Sequence, residues 1–202
     1  RDVQRSKRMQ VPFPSAAICG YTNAGKSTLL NTLTNAELFT EDKLFATLDP
    51  SVRKLTLPGG LELLLTDTVG FIRKLPHLLI EAFKSTLEET KLADFLIEVL
   101  DASCSDVLEH HKTTQKVLEE IGVGIKPSIT VLNKVDLIPD NLTKRRLLNI
   151  FPDAILISAK NAEGLEQLLQ QLELLCTAEM QEMTVLIPYA NYEIMQTVRR
   201  QC

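Results

Sequence analysis

The chain carries 202 residues with a formal net charge of −4, 45% apolar and 24% charged side chains. That length suits one ordinary domain with short extensions, and the composition excludes a disordered chain because it can fill a core. No apolar run reaches the ~18 residues of a membrane-spanning helix, and the acidic balance speaks against a broad nucleic-acid-binding face.

Arg1 to Gln10 is basic and polar without the apolar run of a signal peptide. Arg1, Arg5, Lys7 and Arg8 cluster there; a solvated helix end or linker and a phosphate-backbone contact are both open readings. Because it starts at Arg1 rather than Met, the chain is expected to be a piece of a longer protein. Val11-Pro-Phe-Pro14 interrupts any helix or central strand and sets a boundary.

Ser15 to Cys19 is a short apolar run that suits a buried strand. A glycine turn follows, then a helix over Lys26 to Leu33 and a loop over Thr34 to Pro50. Val52 to Leu57 and Leu61 to Thr66 are strands joined by the turn Pro58-Gly59-Gly60. Leu78 to Leu92 is helical, Phe95 to Leu100 a strand, and Val107 to Ile121 a helix stopped by Gly122 and Gly124. Ser128 to Leu132 and Ala154 to Ile157 are short buried strands. Leu165 to Leu175 is a helix whose leucines form a core-facing stripe. After Glu179 the pattern changes, and Val185-Leu-Ile-Pro188 reads as a strand entering a further small module. Strands alternating with helices predict an α/β fold: a mostly parallel six-stranded sheet with one antiparallel edge strand and helices on both faces.

Gly20-Tyr-Thr-Asn-Ala-Gly-Lys-Ser27 fits the P-loop pattern between a strand and a helix. Backbone N–H groups of Gly20, Tyr21, Thr22, Asn23, Ala24 and Gly25 would wrap a β-phosphate. Gly20 and Gly25 permit the close approach, and the following helix offers its positive end. Lys26 is expected on β- and γ-phosphate oxygens, Ser27 on magnesium, and Thr28 on the α-phosphate. Asp67, at the end of an apolar strand, is the Walker-B acid expected to hold magnesium through a water. Gly70 would bring its N–H to the γ-phosphate. Thr47, in Phe45-Ala-Thr-Leu-Asp-Pro50, is the candidate mobile threonine that closes over magnesium and the γ-phosphate. Lys26, Thr47, Gly70 and Asn23 are thus the candidate catalytic residues.

Asn133-Lys-Val-Asp136 follows another apolar strand. Asp136 can accept from the N1–H and exocyclic amine of guanine, which adenine does not offer, so it selects guanine strongly. Asn133 is expected to bridge to the P-loop and the purine edge, and the stem of Lys134 to cover the ring. Ser158-Ala159-Lys160 is expected to complete the pocket, with the Ala159 N–H on the guanine carbonyl. The ligand these elements specify is GTP or GDP.

A Ras-like pattern has a water-positioning glutamine after the glycine of Asp67-Thr-Val-Gly70; here the residue is Phe71. Unaided hydrolysis is therefore expected to be slow, with help from a partner or a monovalent cation. Asn23 sits where potassium-activated guanine-nucleotide switches, which this loop resembles, bind the ion. It also fits a simple loop-shaping role. Cys19, Cys104, Cys176 and Cys202 form no CxxC pair, which fits a reducing cytoplasm. His77, His110 and His111 are given no chemistry, His77 being a candidate loop contact and the last two being read as an exposed helix face. Arg73 and Lys74 are read as an exposed charged loop, the alternatives being a nucleic-acid contact or movement with the second switch.

The runs Gly20 to Ser27, Phe45 to Pro50, Asp67-Thr-Val-Gly-Phe-Ile-Arg73 with Leu75-Pro-His77, and Ala82-Phe-Lys-Ser-Thr-Leu-Glu-Glu89 resemble the HflX GTPases over about residues 14–178. The resemblance implies a cytoplasmic GTP-hydrolysing switch, expected as a monomer, that acts on the large ribosomal subunit in splitting or rescue. It further implies that residues 1–14 end a basic linker from an absent N-terminal domain, which carries much of the ribosome contact. Residues 15–178 form the G domain, and 179–202 start a small C-terminal region. The alternative reading is a GTP/GDP-sensing module in RNA modification or ribosome assembly.

Overall fold

The structure, a computed structural model, describes residues 13–34, 51–68, 70, 84–178 and 188, with backbone only at 84–87. Six strands form one sheet in the order β2-β3-β1-β4-β5-β6. They are β1 (Ser15–Cys19), β2 (Ser51–Thr56), β3 (Glu62–Asp67), β4 (Phe95–Asp101), β5 (Ser128–Asn133) and β6 (Ile155–Leu156). Only β2 and β3 pair antiparallel; the other neighbours are parallel. The expected sheet, edge strand included, is the one observed.

Among the described residues five helices flank it: α1 (Lys26–Thr34), α2 (Lys84–Leu92), α3 (Val107–Glu120), α4 (Asn141–Ile150) and α5 (Leu165–Thr177). Strand alternation sorts the core into two layers, because successive side chains point to opposite faces. Ala16 and Ile18 of β1 join Leu29, Leu30 and Leu33 of α1 and Leu168 and Leu172 of α5. Ala17 and Cys19 face the other way, against Leu118 of α3. Leu100 and Leu132 pack with Leu147 and Phe151 at α4. Leu168 is fully buried, so Leu168→Ala should cost about 2–5 kcal/mol.

The turn at 58–60 is tied to α5, for the Gly59 N–H donates to Glu173 at 2.7 Å. At the other rim, Lys126 donates to the carbonyl oxygens of Lys91, at 2.6 Å, and Ala93, closing the end of α2. Burial is the main cause holding that ammonium below its ordinary pKa.

Three elements differ from expectation. α4 and the 3-10 turn Val135–Leu137 before it are additions. β6 is shorter than Ala154 to Ile157, because the chain turns at once into a loop closed by the Ser158–Glu163 bridge. The loop expected over 34–50, the start of the helix expected at 78 and the strand at 185–188 lie essentially outside the described residues. Among the described residues no helix is long and apolar enough to cross a membrane.

Candidate nucleotide site

The site lies at the carboxyl ends of the parallel strands, where chain segments leave the sheet and their side chains can converge. β1 feeds the loop 20–25, which enters α1. Gly20 has φ +144°, and a Cβ there would lie 2.2 Å from the Val99 carbonyl oxygen of β4. Gly25 has φ +94°, and its Cβ would lie 2.3 Å from Asn133 Nδ2. The loop therefore sits tight against both β4 and the end of β5, and no larger residue fits either position. Asn23 is exposed at φ +59°, a conformation asparagine tolerates better than most residues.

Lys26 is only 6% exposed. Its ammonium folds back on the loop, donating to the carbonyl oxygens of Tyr21 at 3.0 Å and Gly20 at 3.3 Å. Burial holds its pKa below the ordinary lysine range, an effect partly opposed by Asp67 and Cys19. A phosphate oxygen would replace these carbonyls with a full negative charge.

The Ser27 hydroxyl donates to Asp67 Oδ2 at 2.7 Å, joining the first turn of α1 to the end of β3. Asp67 is 1% exposed. A hydroxyl and a carboxylate side by side, both oxygen donors, suit a hard divalent cation such as magnesium. Gly70 is buried against Thr22 of the loop. Thr68, not singled out from sequence, donates to the Ile18 carbonyl at 2.7 Å and fixes the exit of β3 beside β1. Thr28, on the first turn of α1, is half-buried. Thr47, Phe71, Arg73, Lys74 and His77 lie outside the described residues.

The segment expected to read the base meets the loop through Asn133, 2% exposed at the end of β5. Its Nδ2 donates to the Ala24 carbonyl at 2.9 Å, as the expected bridge to the P-loop requires. Its Oδ1 accepts from the Ala159 N–H at 3.0 Å. The Ala159 amide satisfies that oxygen, since a buried amide oxygen needs a donor. Thr32 of α1 adds a further tie, its hydroxyl lying 2.8 Å from the Ala159 carbonyl. Ser158 is fully buried and Lys160 exposed. Asp136 is exposed on the 3-10 turn, its carboxylate open to a ligand.

α3 brings in the residues that sequence reasoning passed over. His110 stacks on Tyr21 of the loop, with ring centroids 3.8 Å apart and planes 6° apart. His111 Nδ1 lies 2.9 Å from Oε1 of Glu98, a buried carboxylate on β4 that also accepts from Gln115 at 2.9 Å. The hydrogen bond to Glu98 raises the His111 pKa, against the effect of burial. The pair is half-buried, not the exposed face expected.

The sequence profile of the 50S ribosome-binding GTPases matches residues 15–134, a span that holds the loop, Asp67 and Asn133. The chain belongs to that family. Among 50S ribosome-binding GTPases it is of the HflX type. It is 52% identical over 193 residues to GTPase HflX of Caldanaerobacter subterraneus, which covers 94% of this chain and 43% of that protein. It is 40% identical over 189 residues to GTPase HflX of Escherichia coli, covering 93% and 44%. The chain thus spans less than half the length of these relatives. A GTP-binding protein of Sulfolobus solfataricus, solved with GDP, superposes with a TM-score of 0.69 at 32% identity, over 88% of this chain and 57% of that one. The family fold is the P-loop GTPase fold the sequence predicts.

Proposed function

We propose that this pocket binds GTP with magnesium and hydrolyses it, as residues 15–178 of a longer switch protein acting on the large ribosomal subunit. The observation that carries the reading is the Asn133 side chain, which ties the loop 20–25 at Ala24 to the 158–160 loop at Ala159. In this reading the N–H groups of residues 20–25 cradle the β-phosphate, Thr28 holds the α-phosphate, and Lys26 leaves its loop carbonyls for β- and γ-oxygens. Gly70 offers its N–H to the γ-phosphate. Asp136 accepts from guanine, Lys134 covers the ring, and Ser158, Ala159 and Lys160 line its carbonyl edge. Ser27, Asp67 and Thr47 would hold magnesium, which when bound supplies charge neutralisation across the β- and γ-phosphates.

Phe71 cannot hydrogen-bond a water, so turnover of the chain alone is slow and a ribosomal partner supplies the missing order. Asn23, turned outward on the loop, is where potassium would sit to offset developing charge. Residues 1–14 and 179–202 act as connections to the further parts of the protein, which runs in the cytoplasm as a monomer.

Calorimetry decides the binding step. GDP with magnesium should release heat on titration into the folded chain and ADP should not; silence from GDP would end the reading. For the finer claims, turnover of the full-length protein should rise many-fold with large ribosomal subunits. It should be faster in potassium than in sodium at equal ionic strength, and equal rates would remove Asn23 from the mechanism.

A further inference from the structure

We propose that Asp101 is a positioning residue for guanine: it holds the Lys134 side chain stretched across the tip of β4, as the surface on which the purine lies. The inference rests on the assignment of Asn133 to Asp136 as the base-reading segment.

Asp101 is the last residue of β4 and lies in register with Asn133 on β5. Its Oδ2 lies 2.7 Å from Lys134 Nζ. Its Oδ1 accepts from the Ser103 N–H at 2.9 Å and the Ser103 hydroxyl at 2.6 Å. The carboxylate is therefore seated by two donors before it meets the lysine. β4 lies between β5 and β1, so the lysine stem leaves the end of β5 and runs towards the strand that carries the phosphate loop.

Three features make this more than a surface ion pair. The side chains of Lys134 and Asp101 are 25% and 18% exposed, so solvent screens their attraction less than at an open surface. Lys134 holds a left-handed backbone at φ 64°, unfavourable for a residue with a Cβ, and a strained residue persists where its surroundings fix it. A free lysine side chain also has among the largest rotamer entropies, and freezing it before the ligand arrives removes that loss from the binding step. The tether has an electrostatic result too. It keeps the ammonium on the β4 side, leaving Asp136, two residues on and exposed, un-neutralised for the guanine donors.

The test is a double-mutant cycle on the 202-residue chain, read as GDP affinity with magnesium by calorimetry, with thermal midpoints as the folding control. Asp101→Asn keeps the side-chain shape and an acceptor for Ser103 but removes the charge facing Nζ. It should weaken GDP by about tenfold. In a Lys134→Met background, where an apolar stem remains without an ammonium, the same change should have no effect. The loss should appear in KM for GTP and not in kcat. Unchanged affinity in Asp101→Asn, or the same loss in both backgrounds, overturns the proposal. Should Asp101→Asn not fold, Ser103→Ala, which loosens the carboxylate's seat, should weaken GDP about threefold by the same logic, and only with Lys134 present; no weakening overturns it. Wild-type chain that takes no GDP overturns the base-reading assignment itself, a result separable from the others.

Discussion

At the end of the site proposed to read the base, Asn133, Ala159, Lys134 and Asp101 hold one another through bonds that a ligand need not disturb. At the phosphate end, Lys26 and Ser27 spend their donors on loop carbonyls and on Asp67, bonds that a nucleotide and its metal would have to replace. The first region is pre-organised for recognition, and its cost is met on folding. The second is arranged for exchange, so its resting contacts compete with the ligand. On the proposed function, switching between nucleotide states belongs at the phosphate end, where the Lys26 and Ser27 bonds have alternative partners. On the same reading, selectivity belongs at the base end, where few do.

The largest break in this comparison should come from Asp136→Asn. An asparagine presents a donor and an acceptor where guanine needs two acceptors. Preference for GTP over xanthosine triphosphate should fall by about 10⁴-fold, while the fold and the phosphate contacts stay. Competition binding with the two nucleotides measures it, and an unchanged preference would place base reading elsewhere.

Lys26→Met should cut GTP affinity by about 100-fold, near 3 kcal/mol, through loss of a charged donor to phosphate. Its effect on the ligand-free protein should have the opposite sign. The fold holds the Lys26 pKa below 10.5 because the ammonium is buried. A base whose pKa is lower folded than unfolded costs stability below the folded value, and that cost fades as pH rises through the folded value towards 10.5. At pH near 7 the methionine variant should therefore unfold at higher denaturant than wild type, and the gap should close in alkali. A variant less stable than wild type near neutrality would show that Lys26 serves the resting fold and not exchange.

Much of both regions was legible in sequence because strand-end motifs carry their own context. Gly20 to Ser27 stood between a strand and a helix, and Asn133 to Asp136 closed an apolar run. The ties between them were not legible. Asn133 with Ala159 and Asp101 with Lys134 join neighbouring strands whose order, β1-β4-β5-β6, no local pattern states. α4 was missed because its sequence is polar and buries only Leu147. Its start was nevertheless signalled by Asp140, whose side chain caps the Thr143 N–H at 2.7 Å. The histidines were misread for a reason visible in hindsight. Val107, Thr114 and Leu118 are the buried stripe of α3, and His111 falls on it at i+4 from Val107. Glu98, its partner, hides inside an otherwise apolar strand.

That histidine gives the smallest effect and tests how the resting exchange region is supported from below. Glu98 is paired in the sheet with Cys19, the residue before Gly20, so its anchor on α3 steadies the strand that launches the loop. Glu98 raises the His111 pKa above 6.5. A base favoured in its charged form by the fold adds stability in full below its unfolded pKa, and loses it as pH rises through the folded value. His111→Ala should thus cost about 1 kcal/mol below about pH 6 and less in alkali, where only a neutral hydrogen bond is lost and Gln115 still serves Glu98. Urea unfolding across that range measures the difference. A loss independent of pH would mean that His111 acts by packing alone, through its edge contact with Phe151 at 5.3 Å, and that the strand beneath the loop needs no charge to hold it.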